Sequence, residues 1–328
     1  MVEKIRGLSN ADYHFGEKYK NYISSSQLKH YLKSPKAFKY QMEHPEEERN
    51  DNLEFGSLFH SGMEAVVSSL KNQEKDLSSI DRWVESLAVF EPPVNEKTRL
   101  PYGSTSKAYS EAYANFLVEN QGKTVATSSA RDQAEAMIRS LFDKCGETSM
   151  QVRKLAKWAK EIETSYFYET EEGIGLKVRP DLLTNGKLVD WKTCSLESLD
   201  EDSIVRQIVK YRYDISLAMY QWVLHEITGK WYGPYLVFVS KTEPFDSIMV
   251  NMSHWCYKED KETEYVSMGV GALEFKRLLN LHTECVKKGE WPGIECLLKE
   301  DGNVKILKPD IPIYLGRKYY GEDWINYE

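Results

Sequence analysis

The sequence predicts a single α/β domain with a largely helical N-terminal half. Three observations carry this. Apolar residues in "LEFGSLFHSGMEAVVSSL" recur at helical spacing, at Leu58, Phe59, Met63, Val66 and Val67, which gives a helix one face to bury. The period then changes near residue 161, where "IETSYFYET" alternates as a strand does. Finally, Asn185-Gly186 sits between apolar runs, the strongest short-range signal for a two-residue type I′ hairpin.

Ser24, Ser25 and Ser26 offer an N-cap for a short helix, "SQLKHYLKS". Ser34-Pro35 starts a second, "SPKAFKYQME", with Pro at the first helical position. "HPEEERND" reads as a charged loop before the apolar helix. Residues 71–105, with "FEPPVNE" and "LPYGSTS", predict irregular structure. Further helices are expected near 106–119, 128–144 and 149–160, and a hairpin over 173–194. A long helix over about 203–228 ends at Gly229, as a C-cap should. "GPYLVFVSK" reads as a buried strand beside "SIMVNMS", and a closing helix spans about 259–288, before "WPGIE". The tail is too mixed to assign. No repeat or linker divides the chain, so one domain is expected over 1–300, with 1–150 as its helical part, 151–300 as its core and 301–328 as a tail.

Composition excludes several classes. No run approaches the 18 or so apolar residues of a transmembrane helix. The opening "MVEKIRGLSNADYHFGEK" lacks an apolar signal core, so a cytoplasmic location is expected. Five scattered cysteines, with no CxxC and no His cluster at zinc spacing, support neither a disulfide framework nor a structural metal. They are expected to be reduced, mostly buried thiols. Asp+Glu number 51 against 43 Lys+Arg, a formal net charge of −8, which counts against a protein that coats DNA. Local basic clusters remain: Arg153, Lys154, Lys157 and Lys160 in "VRKLAKWAK", and Arg206, Lys210 and Arg212 in "VRQIVKYRY". Each is a candidate nucleic-acid contact or an ordinary solvated helix face.

The chemistry concentrates in "KVRPDLLTNGKLVDWKTC", Lys177 to Cys194. With Asn185-Gly186 as the turn, Leu182 pairs with Val189, and the next rung sets Asp181 opposite Asp190. Like charges at roughly 5 Å across a strand pair are destabilising. Alternation then places Arg179, Asp181, Asp190 and Lys192 on one face, and Val178, Leu182, Val189 and Trp191 on the other. A divalent cation between the carboxylates would relieve the repulsion; so would a solvated face with a bulge at Pro180. Paired carboxylates suit Mg²⁺ or Mn²⁺. A neighbouring lysine can orient a metal-bound water and offset charge on a phosphate. Those are the parts that phosphodiester hydrolysis needs.

Pro180-Asp181 followed by Asp190-x-Lys192 resembles the PD-(D/E)XK nuclease motif, here as P-D-(x8)-D-W-K. The resemblance extends to the exonuclease VIII (RecE-like) branch through several stretches. "FGSLFH" is similar to its Gly-x-x-x-His signature. "YRYDISLAMY" is similar to the helix after the core, and "YLVFVSKTEPFD" to the next strand. "ISSSQLKHYLKSPKAFKY" is similar to its N-terminal opening. In the Q-x-x-x-Y signature Ser216 stands at the Gln position and Tyr220 is retained; Gln207-x-x-x-Tyr211 fits the letters but falls too early in the helix. The resemblance implies a restriction-endonuclease-like core, a mixed central sheet flanked by helices.

It also implies site roles. Asp181 would bind one or both Mg²⁺ ions, for which Mn²⁺ can substitute. Asp190 and the Trp191 carbonyl would complete the site, His60 would add a nitrogen ligand, and Lys192 would position the attacking water. Without the resemblance, His60 on an apolar helix reads as a hydrogen-bonded core histidine. Glu163 is either a further acidic ligand or an edge-strand charge. Tyr220 is either a core aromatic or a substrate contact, and Arg179 pairs with a carboxylate or grips a phosphate.

The implied activity is exonucleolytic digestion of linear double-stranded DNA, 5′ to 3′, exposing single strands for phage or prophage recombination in a bacterial cytoplasm. The implied partners are duplex ends, a single-strand annealing protein (RecT-like), and further copies of the chain in a trimeric or tetrameric ring. Arg153, Lys154, Lys157 and Lys160 would then line its channel. A structure-specific or CRISPR-adaptation-like nuclease and a non-catalytic DNA-binding module on the same fold are the alternatives.

Overall fold

The computed structural model describes residues 2–44, 51–72, 77–142, 146–196, 198–300 and 303–304. The chain opens with β1 (Val2–Ile5) and α1 (Asn10–Phe15). Next comes α2 (Ser25–Leu28), with the Ser24–Gln27 capping box, running into a 3₁₀ turn over Lys29–Leu32. α3 (Pro35–Glu43) starts where Ser34 caps it. The apolar helix is α4 (Asp51–Lys71), which buries Leu58, Phe59, Met63, Val66 and Val67 as its spacing demands.

The stretch 71–105 is not all irregular. It holds α5 (Ser78–Ser86) and β2 (Ala88–Phe90). Ile80, Trp83 and Leu87 are all buried there, at a helical spacing that the punctuation by Pro92-Pro93 and Gly103 obscures in the sequence. α6 (Lys107–Glu119), β3 (Val125–Thr127), α7 (Ser128–Leu141) and α8 (Glu147–Lys157) follow, and β3 pairs in parallel with β2.

The core begins at β4 (Glu161–Ile162) and β5 (Ser165–Glu169). The one expected strand is broken because Glu163 takes a left-handed φ of 45°, which a continuous strand does not allow. β6 (Gly175–Val178), β7 (Leu182–Leu183) and β8 (Lys187–Cys194) follow. The hairpin register is as expected, Leu182 opposite Val189 and Leu183 opposite Leu188. Its turn is not type I′, since neither Asn185 nor Gly186 has positive φ. Instead, the Thr184 hydroxyl accepts from the Lys187 N–H at 3.0 Å.

The expected long helix is two, α9 (Glu201–Tyr211) and α10 (Tyr213–Thr228), parted at Arg212 with φ 50°. Arg212 bonds both carboxylate oxygens of Asp214 at 3.0 Å, which holds the break. β9 (Gly233–Ser240) and β10 (Ser247–Asn251) are the expected neighbours. A small hairpin, β11 (Tyr257–Glu259) and β12 (Val266–Met268), takes the first part of the expected closing helix, so α11 runs only over Val270–Lys288. Gly269 sets that start, because a Cβ there would stand 2.2 Å from the His254 carbonyl oxygen. The tail 305–328 lies outside the described residues.

The central sheet has the order β10-β9-β8-β7-β4, with β8 and β9 parallel and the other pairs antiparallel. β1, β5 and β6 form a second, three-stranded sheet. Alternation along β8 and β9 serves two cores. Leu188, Leu236 and Phe238 pack with residues of α10 and α11. Val189, Trp191, Val237 and Val239 pack with residues of α4, α7 and α8. Asp190 and Lys192 therefore project on the α10 side, while α4 lies on the other. Cys194, Cys256 and Cys285 are buried free thiols and Cys296 is a half-buried one; Cys145 lies outside the described residues. Among the described residues, no helix is long and apolar enough to cross a membrane.

Candidate metal centre

Three segments far apart in the chain converge at the Asp181 end of the core hairpin. His60 lies mid-way along α4. Its Nδ1 stands 3.4 Å from an Asp181 oxygen and 3.5 Å from a Glu163 oxygen. Its Nε2 stands 3.2 Å from the Trp191 carbonyl. The ligand atoms of His60, Glu163 and Asp181 all lie within 4.8 Å of one another. Both ring nitrogens thus face acceptors, three oxygens around one imidazole. This is how a hard-oxygen site with one nitrogen donor is built, and the donor set fits a divalent cation.

The backbone explains why the carboxylates meet. The ladder stops at Leu182, so Asp181 leaves the strand rather than facing Asp190 across it. Its side chain accepts from the Trp191 N–H at 2.5 Å, and its carbonyl accepts from the Glu163 N–H at 3.1 Å. The left-handed turn at Glu163 aims that carboxylate inward. Backbone strain of this kind persists where surrounding contacts hold it. Asp190, one face over, is paired with Lys192 instead of joining the cluster. The expected like-charge rung does not form, and each carboxylate has its own partner, His60 for Asp181 and Lys192 for Asp190.

Electrostatics follow from the layout. Burial pushes the Asp181 carboxyl up, but the His60 ring, the Lys192 ammonium and the Trp191 N–H outweigh it and hold it below its ordinary value. Burial and the Asp181 charge push Glu163 up to about 7, against the pull of His60. Burial alone would lower His60, yet Asp181 and Glu163 push it up to about 10. Burial and Asp181 raise Asp190, opposed by Lys192. Lys192 is itself raised: Asp190 and Asp181 overcome its burial, so it is a firm cation.

The remaining expected residues are placed as follows. Tyr220 is raised well above its ordinary value by burial, with Asp190, Tyr13 and Asp181 adding to it, so its hydroxyl stays protonated. Ser216 is half-buried on the same helix. Arg179 turns to the N-terminal segment rather than to Asp181 and Asp190, and its charge acts on Glu64 instead. It bonds Ser165, Asn10 and the Leu8 carbonyl and lies 4.1 Å over the Tyr13 ring, so it fastens the N-terminal segment. Arg153 donates to the Phe142 carbonyl at the end of α7, while Lys154, Lys157 and Lys160 are exposed.

Two residues were missed in the sequence. Glu64, one turn after His60, adds its charge to Glu163; the His60-x-x-x-Glu64 spacing could have shown it. Lys29 donates to the Tyr211 carbonyl at 3.0 Å. Burial, with the Lys192 charge, pushes it down to about 8. Nothing local in the sequence points to it.

Residues 24–298 match the model of a "PDDEXK-like domain of unknown function (DUF3799)". No curated protein matches the chain. Among solved structures, a crystal structure of a candidate exonuclease from Eubacterium rectale is similar over 96% of this chain and 99% of that one, at 17% identity and a TM-score of 0.49.

Proposed function

The chain belongs to the PDDEXK-like family DUF3799, and on that premise we propose that it is a divalent-metal-dependent deoxyribonuclease acting from the ends of linear duplex DNA. The observation that carries this is the convergence of His60, Glu163, Asp181 and the Trp191 carbonyl beside the Asp190–Lys192 pair. His60, Glu163, Asp181 and the carbonyl would hold the ion. Bound there, a divalent ion supplies Lewis acidity and lowers the pKa of water.

The chain's own groups do the rest. Lys192, kept cationic, holds a water or a phosphate oxygen and offsets charge that grows on phosphorus. Asp190 orients Lys192 by pairing with it. Tyr220, its proton retained, can donate to the strand. As a cation, Lys192 is a positioning and charge-stabilising group rather than the general base. Its replacement by Ala is expected to lower kcat by about 10²–10³-fold, as for loss of one such donor.

Digestion from the 5′ end, a recombination role and a single-strand annealing partner belong to this proposal on the sequence resemblance. The test is a digestion series on linear duplexes labelled at the 5′ or the 3′ end, with Mg²⁺, with Mn²⁺ and with EDTA. Early mononucleotide release from the 5′ label alone, abolished by EDTA, is the expected result. Early release of the 3′ label reverses the polarity. Cleavage of closed circular DNA points instead to a structure-specific nuclease, and binding without hydrolysis to a non-catalytic module.

A further inference from the structure

The end of α8 and the tip of the β7–β8 hairpin enclose a groove of about 420 Å³, lined in part by Lys157, Trp158, Lys160, Thr184, Asn185 and Lys187. Among the described residues, no acidic side chain lines it, in a chain whose net charge is −8. Trp158 is 65% exposed at its rim, and Lys157 and Lys160 are exposed beside it. The Lys187 ammonium sits 4.6 Å over the Tyr235 ring. The walls are joined by backbone: the Lys160 N–H donates to the Leu183 carbonyl at 2.7 Å, and the Lys71 ammonium donates to the Lys160 carbonyl at 2.9 Å.

These bonds place the groove at the far end of the same helix–hairpin unit that carries the metal cluster. Lys71 lies eleven residues beyond His60 on α4, about 16 Å at helical rise. Gly186 lies four residues before Asp190 on the hairpin, about 13 Å at strand rise. A nucleic-acid strand covers that distance in roughly four base steps, taking 3.4 Å for each.

We propose that this groove binds a single strand of nucleic acid, with a base stacked on Trp158 and its phosphates paired with Lys157, Lys160 and Lys187. The proposal rests on the nuclease reading of the cluster and adds the strand's path to it. An exposed aromatic ring among ammonium groups is how proteins hold single strands without reading sequence, because every base offers a π-face. A duplex keeps its base faces stacked internally, so the ring favours a single strand. The end of α8 brings some negative charge to the groove, which the three lysines offset.

The test is anisotropy of a short fluorescein-labelled oligothymidylate, titrated with the full chain in EDTA at several salt concentrations. Trp158→Ala is expected to weaken binding roughly tenfold, within the range for loss of one stacked base, and Trp158→Phe to restore most of it. Lys157→Ala and Lys187→Ala should each reduce the salt slope by about 0.7. Absence of oligothymidylate binding, or equal binding by Trp158→Ala, overturns the proposal; so does a Trp158→Ala loss that Phe does not restore. Hydrolysis of linear duplex with Mg²⁺, measured separately, reports on the cluster. If hydrolysis is absent while the Trp158-dependent binding remains, the nuclease reading fails and the groove stands.

Discussion

At the scale of single residues, the site is a histidine surrounded by oxygens. In the metal-free protein His60, pushed up to about 10, is an imidazolium at neutral pH, and its charge occupies the place that a cation would share. A metal ligand must be the neutral ring, so binding displaces that proton. The sign follows. A raised histidine stabilises the metal-free fold fully below its ordinary value of about 6.5, and that stabilisation is lost as pH rises through about 10. Metal affinity runs the opposite way, rising with pH across the same window. Calorimetric titration with Mn²⁺ at pH 7 in two buffers of different ionisation enthalpy should show release of more than one proton, one from His60 and a further share from Glu163, itself pushed up to about 7. Heat independent of buffer would mean that His60 is not a ligand.

Much of this was legible. Asp181, Asp190 and Lys192 stand out because hairpin register and alternation need only local sequence. Glu163 was ambiguous because its value lies in a left-handed φ that no neighbouring glycine announces. Arg179 differs: alternation places it with the carboxylates, but Asn10 and Leu8, about 170 residues earlier in the chain, hold its guanidinium.

At the scale of elements, the breaks in the expected strand and helices matter more than their lengths. The strand broken at Glu163 sends β4 into the central sheet and β5 into the second one. The helix broken at Arg212 leaves α10 to share a core with Leu188 of β8 and with Leu236 and Phe238 of β9. The first break is fixed by a distant partner, the Asp181 carbonyl, and the second by a local pair, Arg212 with Asp214 two residues on; periodicity sees neither. The edge strand β1 is held to the core partly by charge: Lys4 and Arg6 pair with Glu161. The Arg6 bond lowers that carboxyl, against its burial, to about 2. A depressed carboxylate contributes stability that is present above its ordinary value and lost as pH falls through the folded one. Glu161→Gln should therefore speed amide exchange in Val2–Ile5 at neutral pH. The gap in urea midpoint between variant and parent should narrow from about pH 4.5 toward about 2. A gap that stays constant over that range would place the anchoring elsewhere, with Arg179 and the buried Lys177, whose ammonium donates to the Tyr13 carbonyl at 2.8 Å.

At the scale of the whole molecule, charge poses the problem. A chain of net charge −8 has weak long-range attraction for DNA, whose binding is dominated by phosphate contacts. A closed ring of copies that gathers Lys154, Lys157 and Lys160 toward one channel would answer it. Light scattering at micromolar concentration should then give a trimer or tetramer, and a strict monomer that still digests long duplexes processively would rule the ring out. The proposed hydrolysis needs no ring, only one metal cluster built on Asp181. It is tested most directly by Mn²⁺ electron paramagnetic resonance and duplex hydrolysis on the same samples of parent and Asp181→Ala protein, each checked for native circular dichroism. The parent is expected to bind Mn²⁺ saturably and degrade DNA, and Asp181→Ala to lose both while keeping its fold. Undiminished DNA degradation by a natively folded Asp181→Ala protein would contradict it.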